Sequence, residues 1–237
     1  MLKRYFSIVL FINFLLTLSL GIYPSLAQSA LKFKPPSRGT PPVTKGLASR
    51  GTVCFSEQDG PKKLKALVPS NNFGLTTAKN ASLMIYVPKS SAKFLAVQLN
   101  SQDNKTKVFH KEIPVPINGG IMRILMKDMK TPPLQVDKNY LWTATLVCQE
   151  NDYSKNPITQ GWVQRIQPDM ALNTILNKAT PTSLPGIYAK AGVWHDALTS
   201  LDNLRVLQPN NTSIARDWTS LLTSVGLAEF SKFQIIR

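Results

Sequence analysis

Short apolar runs separated by Pro, Gly, Asn and Asp fill the chain from about Cys54 to Ile166. This pattern is typical of an antiparallel β domain. Seven strands are predicted, and they begin at Leu64, Ser82, Lys93, Lys107, Gly120, Tyr140 and Ile158. Seven strands in about 110 residues, without a helical pattern between them, predict a β-sandwich of immunoglobulin-like size. A small barrel is the alternative.

The sixth predicted strand alternates most clearly between apolar and polar positions. One of its faces carries Tyr140, Trp142, Ala144, Leu146 and Cys148. Because successive side chains of a strand point to opposite faces, this face is predicted to lie in the core, with Trp142 as a core residue. A leucine, rather than a corner tyrosine, precedes Cys148 by two positions, so the pattern predicts the architecture and not a true immunoglobulin domain.

Beyond Gln167 the apolar period becomes helical, which predicts an α-helical C-terminal subdomain over residues 168–237. The first helix is predicted in "PDMALNTILNKA", residues 168–179, with Pro181 and Pro185 ending it. Two amphipathic helices follow. Their apolar stripes are Trp194, Ala197, Leu198, Leu201 and Leu204, and then Ile214, Trp218, Leu221, Leu222 and Val225.

The last two helices resemble one tetratricopeptide repeat, because Gly192, Ala197 and Pro209 keep the spacing of three signature positions. A single helix pair cannot bury its own apolar face. We therefore expect the pair to pack on itself and on the β-sandwich domain, predicted over residues 51–167, or on residues 168–179.

The first 27 residues have the pattern of a secretory signal peptide. Lys3 and Arg4 precede an apolar run that ends at Leu20, and small residues stand at Ser25 and Ala27. Cleavage is predicted between Ala27 and Gln28. The alternative is an uncleaved anchor, which would be the protein's only membrane contact. Either way the body of the protein is predicted to be exported, to the periplasm or the cell surface.

Residues 28–50 contain four prolines, five basic residues and no acidic residue. Such a composition buries too little apolar surface to offset the entropy of ordering, so this segment is predicted to be a disordered tether. In an oxidising compartment, Cys54 and Cys148 are expected to form one disulfide. The alternative is two buried free thiols.

The formal net charge of +15 falls to +13 when Lys3 and Arg4 are removed with the signal peptide. A strongly basic exported protein is expected to associate with an acidic partner such as an envelope polymer. General surface charge is the alternative, because only "KKLK", residues 62–65, clusters its lysines. No interleaving of basic and aromatic residues indicates nucleic-acid binding.

His195 is the best candidate for chemistry in the sequence. On the predicted helix, Thr199 lies one turn away and Asp202 lies two turns away, about 10 Å along the axis. Asp196 points to a different side of the helix and favours its N-terminus electrostatically. Neither carboxylate orients the ring, so we expect His195 to be an exposed helix residue and not a catalytic one.

The other candidates are weaker. His110 shares one side of a strand with Val108 and Glu112, and is expected to be solvated. Glu150 and Asp152 lie close enough for weak calcium binding, but the pattern of a calcium loop is missing and a polar turn is predicted. No metal site, cofactor site or catalytic residue is predicted.

Five strings of the chain resemble the successive motifs of a cyanobacterial exported family catalogued as Domain of Unknown Function 928. They are "LKALVPSNNFGLTTAKNASLMIYVP", "TPPLQVDKNYLWTATLVCQENDYS", "GWVQRI", "YAKAGVWHDALTSLDNL" and "WTSLLTSVGL". The resemblance covers roughly Cys54 to Ile235. It implies a cyanobacterial source and an envelope location, and it supplies no catalytic residues.

These observations favour an exported, non-enzymatic binding or structural protein of the cell envelope. Its expected partner is an envelope protein or an anionic glycan, and no nucleic acid. The alternative is a hydrolase of envelope polysaccharide or peptide, for which Glu150, Asp152, Asp196 and His195 are the residues to test.

Overall fold

The computed structural model describes residues 30–36, 54–55, 61–102 and 107–236. Its strands are β1 (Lys65–Ala66), β2 (Phe73–Thr76), β3 (Ser82–Val87), β4 (Phe94–Ser101), β5 (Lys107–Pro114), β6 (Gly120–Leu125), β7 (Asn139–Val147), β8 (Ile158–Arg165) and β9 (Ile235–Ile236). Its α-helices are α1 (Met170–Asn177), α2 (Leu184–Lys190), α3 (Trp194–Leu207) and α4 (Thr212–Thr223).

The strands form two sheets. One has four strands in the order β1-β3-β6-β9, and the other has five in the order β2-β8-β7-β4-β5. All seven predicted strands are present, but the predicted count is wrong within the described residues, because β2 and β9 add to it. These two strands also pair in parallel, β2 with β8 and β9 with β6. The protein is therefore mixed α/β, with two sheets that are mainly antiparallel.

The alternation along β7 produces the expected burial. Tyr140, Trp142, Ala144 and Leu146 are buried, whereas Leu141 and the threonines between them are partly exposed. The sulfur atoms of Cys54 and Cys148, at the end of this strand, form the predicted disulfide. The bridge joins residues 94 positions apart and therefore closes a long loop of the chain.

The sheets and the last two helices share one hydrophobic cluster. Leu83 of β3 and Leu95 of β4 belong to it together with Leu201 of α3 and Trp218 of α4. The indole Nε1 of Trp194 also donates a hydrogen bond to the carbonyl of Leu67 at 2.8 Å. The helices thus bury their apolar stripes against the strands, as expected, and one core crosses the predicted boundary at residue 167.

The region between β8 and α3 differs from its prediction. The helix predicted over residues 168–179 begins at Met170, where the Asp169 side chain accepts a hydrogen bond from the N–H of Leu172. Its apolar residues are not buried: Met170 is 87% exposed and Ile175 is 51% exposed. The helix ends at Asn177, before Pro181 and Pro185, as expected. Helix α2 was not predicted, and Pro185 lies in its first turn, where its missing N–H costs no hydrogen bond.

The predicted tether is ordered where the structure describes it. Residues 30–36 lie against the helices, with the ring of Phe33 buried edge-on to Trp194 at a centroid distance of 5.1 Å. The N–H of Phe33 donates to Ser224 Oγ, and the N–H of Lys34 donates to the carbonyl of Ala189. The disorder prediction is therefore wrong for these residues, because one aromatic anchor and two backbone hydrogen bonds offset the ordering entropy.

The remainder of the predicted tether and the predicted signal peptide, with its cleavage site between Ala27 and Gln28, lie outside the described residues. Within the described residues, the helices are all too short or too polar to cross a bilayer.

Candidate functional site

A polar cavity of about 230 Å³ lies where the strands meet the helices. We call it the junction cavity. Residues around β2 and β3 form one wall, and residues of α2 and α3 form the other. The lining includes Asn80, Tyr188, His195, Asp196, Thr199 and Asn203.

The start of α3 fixes the helical wall of the cavity. Gly192 has a φ of +74°, a conformation that favours glycine, and the chain reverses there between α2 and α3. The N–H of Val193 donates to the carbonyl of Tyr188, which ties the two helices together at 2.9 Å. Trp194 then enters the core, so that His195 and Asp196 reach the strands in the first turn of α3.

His195 is buried, which corrects the expectation that its ring is exposed. Its residue exposure is 2%, and its Nε2 has no hydrogen-bond partner among the described residues. The ring packs against Gly74 of β2 so closely that a Cβ at that position would lie 2.5 Å from Nε2. The sequence predicted the helix that carries His195. It did not predict β2, against which the His195 side of this helix packs.

Burial lowers the pKa of His195 to about 4, because charging the ring inside the protein would remove the cation from water. Backbone contacts with Ser82 and Trp162 act in the opposite direction and are weaker. The imidazole is therefore neutral at pH 7, and no carboxylate among the described residues is hydrogen-bonded to it. This arrangement lacks the oriented base that a nucleophilic site needs.

Asp196 is held by Thr77, the residue after β2, rather than by the histidine beside it. Its carboxylate accepts a hydrogen bond from the Thr77 hydroxyl at 2.6 Å and from the Thr77 backbone N–H at 3.2 Å. Burial raises the pKa of Asp196, while contacts with Thr76 and Thr77 act to lower it. The pKa of Tyr188 is raised as well, first by burial and then by the nearby Asp196 charge.

The side-chain oxygen of Asn80 is the second unusual feature of the cavity. Its Oδ1 is buried, and the described residues offer it no hydrogen-bond partner. Buried polar atoms are normally paired, so this acceptor is an exception to the general pattern. The sequence did not indicate Asn80 or Thr77, because they come close to Asp196 from more than one hundred residues away along the chain. It did not indicate Tyr188 because that residue lies on α2, a helix that was not predicted.

The other sequence candidates lie outside the junction cavity. His110 is exposed on the edge strand β5, as expected. Glu150 is exposed in the turn after β7, and the Asp152 carboxylate accepts a hydrogen bond from Ser154 and pairs with Lys155 at 3.0 Å. The described residues contain no cluster of three His, Cys, Asp or Glu side chains that would hold a metal ion.

A second contact between α3 and the strands involves a charged pair that the sequence did not predict. Arg123 of β6 donates from Nη1 to Asp202 Oδ2 at 2.8 Å and to Asn203 Oδ1 at 2.7 Å. The Asp202 side chain is fully buried, and that of Arg123 is 12% exposed. The pair joins the four-stranded sheet to the middle of α3, on the side of the cavity formed by Asn203.

Taken together, the fold and the cavity define a two-sheet β protein with a helical layer packed on its strands and a polar pocket between them. The chain belongs to the family described as Domain of Unknown Function (DUF928), whose model matches residues 45–235. This match confirms the family expected from the five sequence motifs; the cyanobacterial source stays a prediction. No curated protein matches the chain.

Proposed function

We propose that the protein is an exported, non-catalytic binding protein of the cell envelope and that its partner is an anionic glycan. The disulfide between Cys54 and Cys148 is compatible with an oxidising, exported location. The observation that carries the choice of partner is the excess of positive charge, +13 once Lys3 and Arg4 are removed with the predicted signal peptide, together with its distribution.

The positive charge is concentrated around the first four strands. Residues 60–102 contain six lysines and no acidic residue. Lys62, Lys63 and Lys93 of this stretch are exposed. Two more exposed lysines, Lys107 and Lys111, lie on β5, which pairs with β4 at the edge of the five-stranded sheet. A polyanion would be attracted to this half of the molecule.

Several acidic side chains are already engaged within the protein. Asp202 binds Arg123, Asp196 binds Thr77, Asp169 caps α1 and Asp152 pairs with Lys155. The pairs with Arg123 and Lys155 each remove one positive and one negative charge, so they leave the excess of positive charge unchanged. This supports a partner that supplies negative charge.

The geometry of the cavity supports binding over catalysis. His195 is neutral, packed against Gly74 and not oriented by an acid. Among the described residues that line the cavity, Asp196 carries the sole carboxylate. Hydrolysis of a glycosidic bond normally requires two carboxyl groups that flank it.

The mature chain, starting at Gln28, serves as bait for an envelope extract divided into untreated and polysaccharide-digested portions. We expect capture from the untreated portion and its loss after digestion. High salt is expected to reduce capture by about tenfold or more, because it screens exposed charges. The double variant Lys62→Gln/Lys93→Gln is expected to capture less, whereas the matched double control Lys178→Gln/Lys190→Gln, on the helical side, is expected to capture as the unmodified chain does.

Salt-resistant capture that survives polysaccharide digestion would contradict a glycan and indicate an envelope protein as the partner. Equal capture by the two lysine variants would contradict the role of the basic strands.

A hydrolase is the second candidate, and one observation favours it: burial raises the pKa of Asp196, a property of carboxylic acids that donate protons in catalysis. Release of reducing ends or peptides from envelope polymers by the mature chain is the test. Turnover that disappears in Asp196→Asn, and persists in Asp152→Asn, would establish this candidate and remove the non-catalytic proposal.

A further inference from the structure

We propose that the junction cavity binds one neutral, hydroxyl-rich sugar unit, such as the terminal unit of a glycan. This inference rests on the proposed function for its biological ligand, but the cavity's chemistry carries it independently. It assigns a recognition site to a place that is separate from the lysines that attract the polymer.

The cavity is lined by polar side chains that can exchange hydrogen bonds with a ligand. Asn80, Asp196, Thr199 and Asn203 line it, and the Asp196 carboxylate accepts hydrogen bonds from Thr77 on the strand side. Sugar hydroxyl groups donate and accept, and can also use the hydroxyl of Thr199 and the amide of Asn203.

The lining disfavours an anion as the direct occupant. Asp196 is acidic, and neither lysine nor arginine lines the cavity among the described residues. An anionic ligand would therefore lose its hydration without gaining a cation. A neutral polyol meets the acceptors without this penalty.

The cavity also offers an apolar surface for the carbon face of a sugar ring. Tyr188 and Leu184 line it and are partly exposed. An aromatic side chain combines a flat apolar face with a polar tip, which suits a ligand that has both characters. The volume of about 230 Å³ is below the usual range for drug-sized ligands, which favours a single ring over a longer segment.

The cavity is located so that a charged polymer could continue beyond it. Ala78, which lines the cavity, and Lys79, the next residue, are both exposed. Lys79 belongs to the stretch of six lysines without an acidic residue. The cavity would hold the neutral terminal unit while exposed lysines contact the charged part of the chain.

The test is a titration of the isotope-labelled mature chain, with its disulfide intact, followed by NMR chemical shifts. The probes are methyl β-glucoside, methyl β-galactoside and N-acetylglucosamine, with inorganic phosphate and ethanolamine as charged comparisons. We expect at least one sugar to shift the amide signals of Asn80, Tyr188 and Thr199, and to do so equally at low and high salt.

Two variants locate the binding. Asn80→Ala is expected to weaken the sugar's Kd by about tenfold, the effect of losing one good hydrogen bond. Ala78→Phe, at an exposed position of the lining, is expected to abolish the shifts by filling the entrance without disturbing the core. Asn118→Ala, at an exposed asparagine outside the cavity, is the matched control and is expected to bind as the unmodified chain does.

No sugar-dependent shifts, or shifts that Ala78→Phe leaves unchanged while the variant's thermal unfolding is normal, would overturn the inference. Binding of ethanolamine or phosphate in place of the sugars would overturn it as well. Because capture of the anionic polymer is measured separately by its salt dependence, failure of the sugar titration leaves the proposed function standing.

Discussion

Two buried polar residues of the same helix meet the strands in opposite ways. His195, in the first turn of α3, lies against Gly74 with its Nε2 unpaired among the described residues. Asp202, two turns later, binds Arg123 of β6 at 2.8 Å. A buried group that remains neutral is tolerated without a partner, whereas a buried charge requires one. The two ends of the contact are therefore expected to respond differently to substitution and to pH.

The largest expected effect is at the pair of Asp202 and Arg123. Asp202→Ala leaves the Arg123 guanidinium largely buried without its counter-ion, and the free energy of unfolding should fall by about 3 to 5 kcal/mol. Urea denaturation measures this. A double variant, Arg123→Met with Asp202→Leu, removes both charges and should recover much of the loss. If Asp202→Ala costs less than about 1 kcal/mol, the ion pair does not hold α3 on the sheet.

The pH dependence of the free energy of unfolding should come from His195, in the first turn of α3. The folded pKa of His195 is about 4, below the unfolded value of 6.5, so protons bind preferentially to the unfolded chain. The contribution of the neutral His195 ring to the free energy of unfolding is therefore complete above pH 6.5. It is lost as the pH falls towards 4, by about 3 kcal/mol in total. Unfolding by urea from pH 7 to pH 4 measures it.

The matched variant for this prediction is His195→Leu, which does not titrate. Asp196, whose raised pKa acts with the opposite sign in part of the same range, is present in both proteins. The difference between the two stability curves isolates the histidine. Parallel curves over this pH range would show that the ring is not buried as described.

The sequence predicted the structure best where the spacing of apolar residues indicated which side chains are buried. The seven predicted strands, α3, α4 and the disulfide are all present because alternation, helical spacing and cysteine count are local or simple signals. β2 was missed because its four residues include Gly74 and follow Asn71 and Asn72, which read as a turn. The glycine is explained only by the histidine ring, 121 positions later in the chain.

The candidate site was predicted only in part, for the same reason. His195 and Asp196 were singled out, but their environment depends on β2 and on Asn80, which the helix pattern does not report. Phe33 was assigned to a disordered tether because composition describes the average of a segment and not one anchor. Its packing on Trp194 and the hydrogen bond of its N–H to Ser224, 191 residues away, are long-range events.

A smaller effect is expected when a side chain next to His195 is enlarged and no charge is changed. Gly74→Ala places a Cβ 2.5 Å from His195 Nε2 and should cost about 1 to 3 kcal/mol through overpacking. The matched control is Gly186→Ala on α2, where the nearest atom lies 4.0 Å away and alanine improves helix propensity. Thermal unfolding compares them. Equal melting temperatures would show that the ring does not press on β2.

The smallest effect concerns the link between Asp196 and Thr77, the residue after β2. Thr77→Val removes the hydroxyl that donates to the carboxylate at 2.6 Å but keeps the backbone N–H. The expected loss is about 1 kcal/mol, because one of the hydrogen bonds remains. Thr219→Val, exposed on α4, is the control and should change stability less. A larger loss in the control than in Thr77→Val would remove the proposed role of this hydrogen bond.

The most direct test of the central claim is the affinity of the mature chain for an acidic polysaccharide, measured as a function of salt concentration. Binding through the lysine-rich strands predicts that affinity falls steadily as salt rises, because the exposed charges are screened within about 10 Å at 0.1 M. Affinity that does not change with salt, or no binding even at low salt, would contradict the assignment of this protein to anionic glycans.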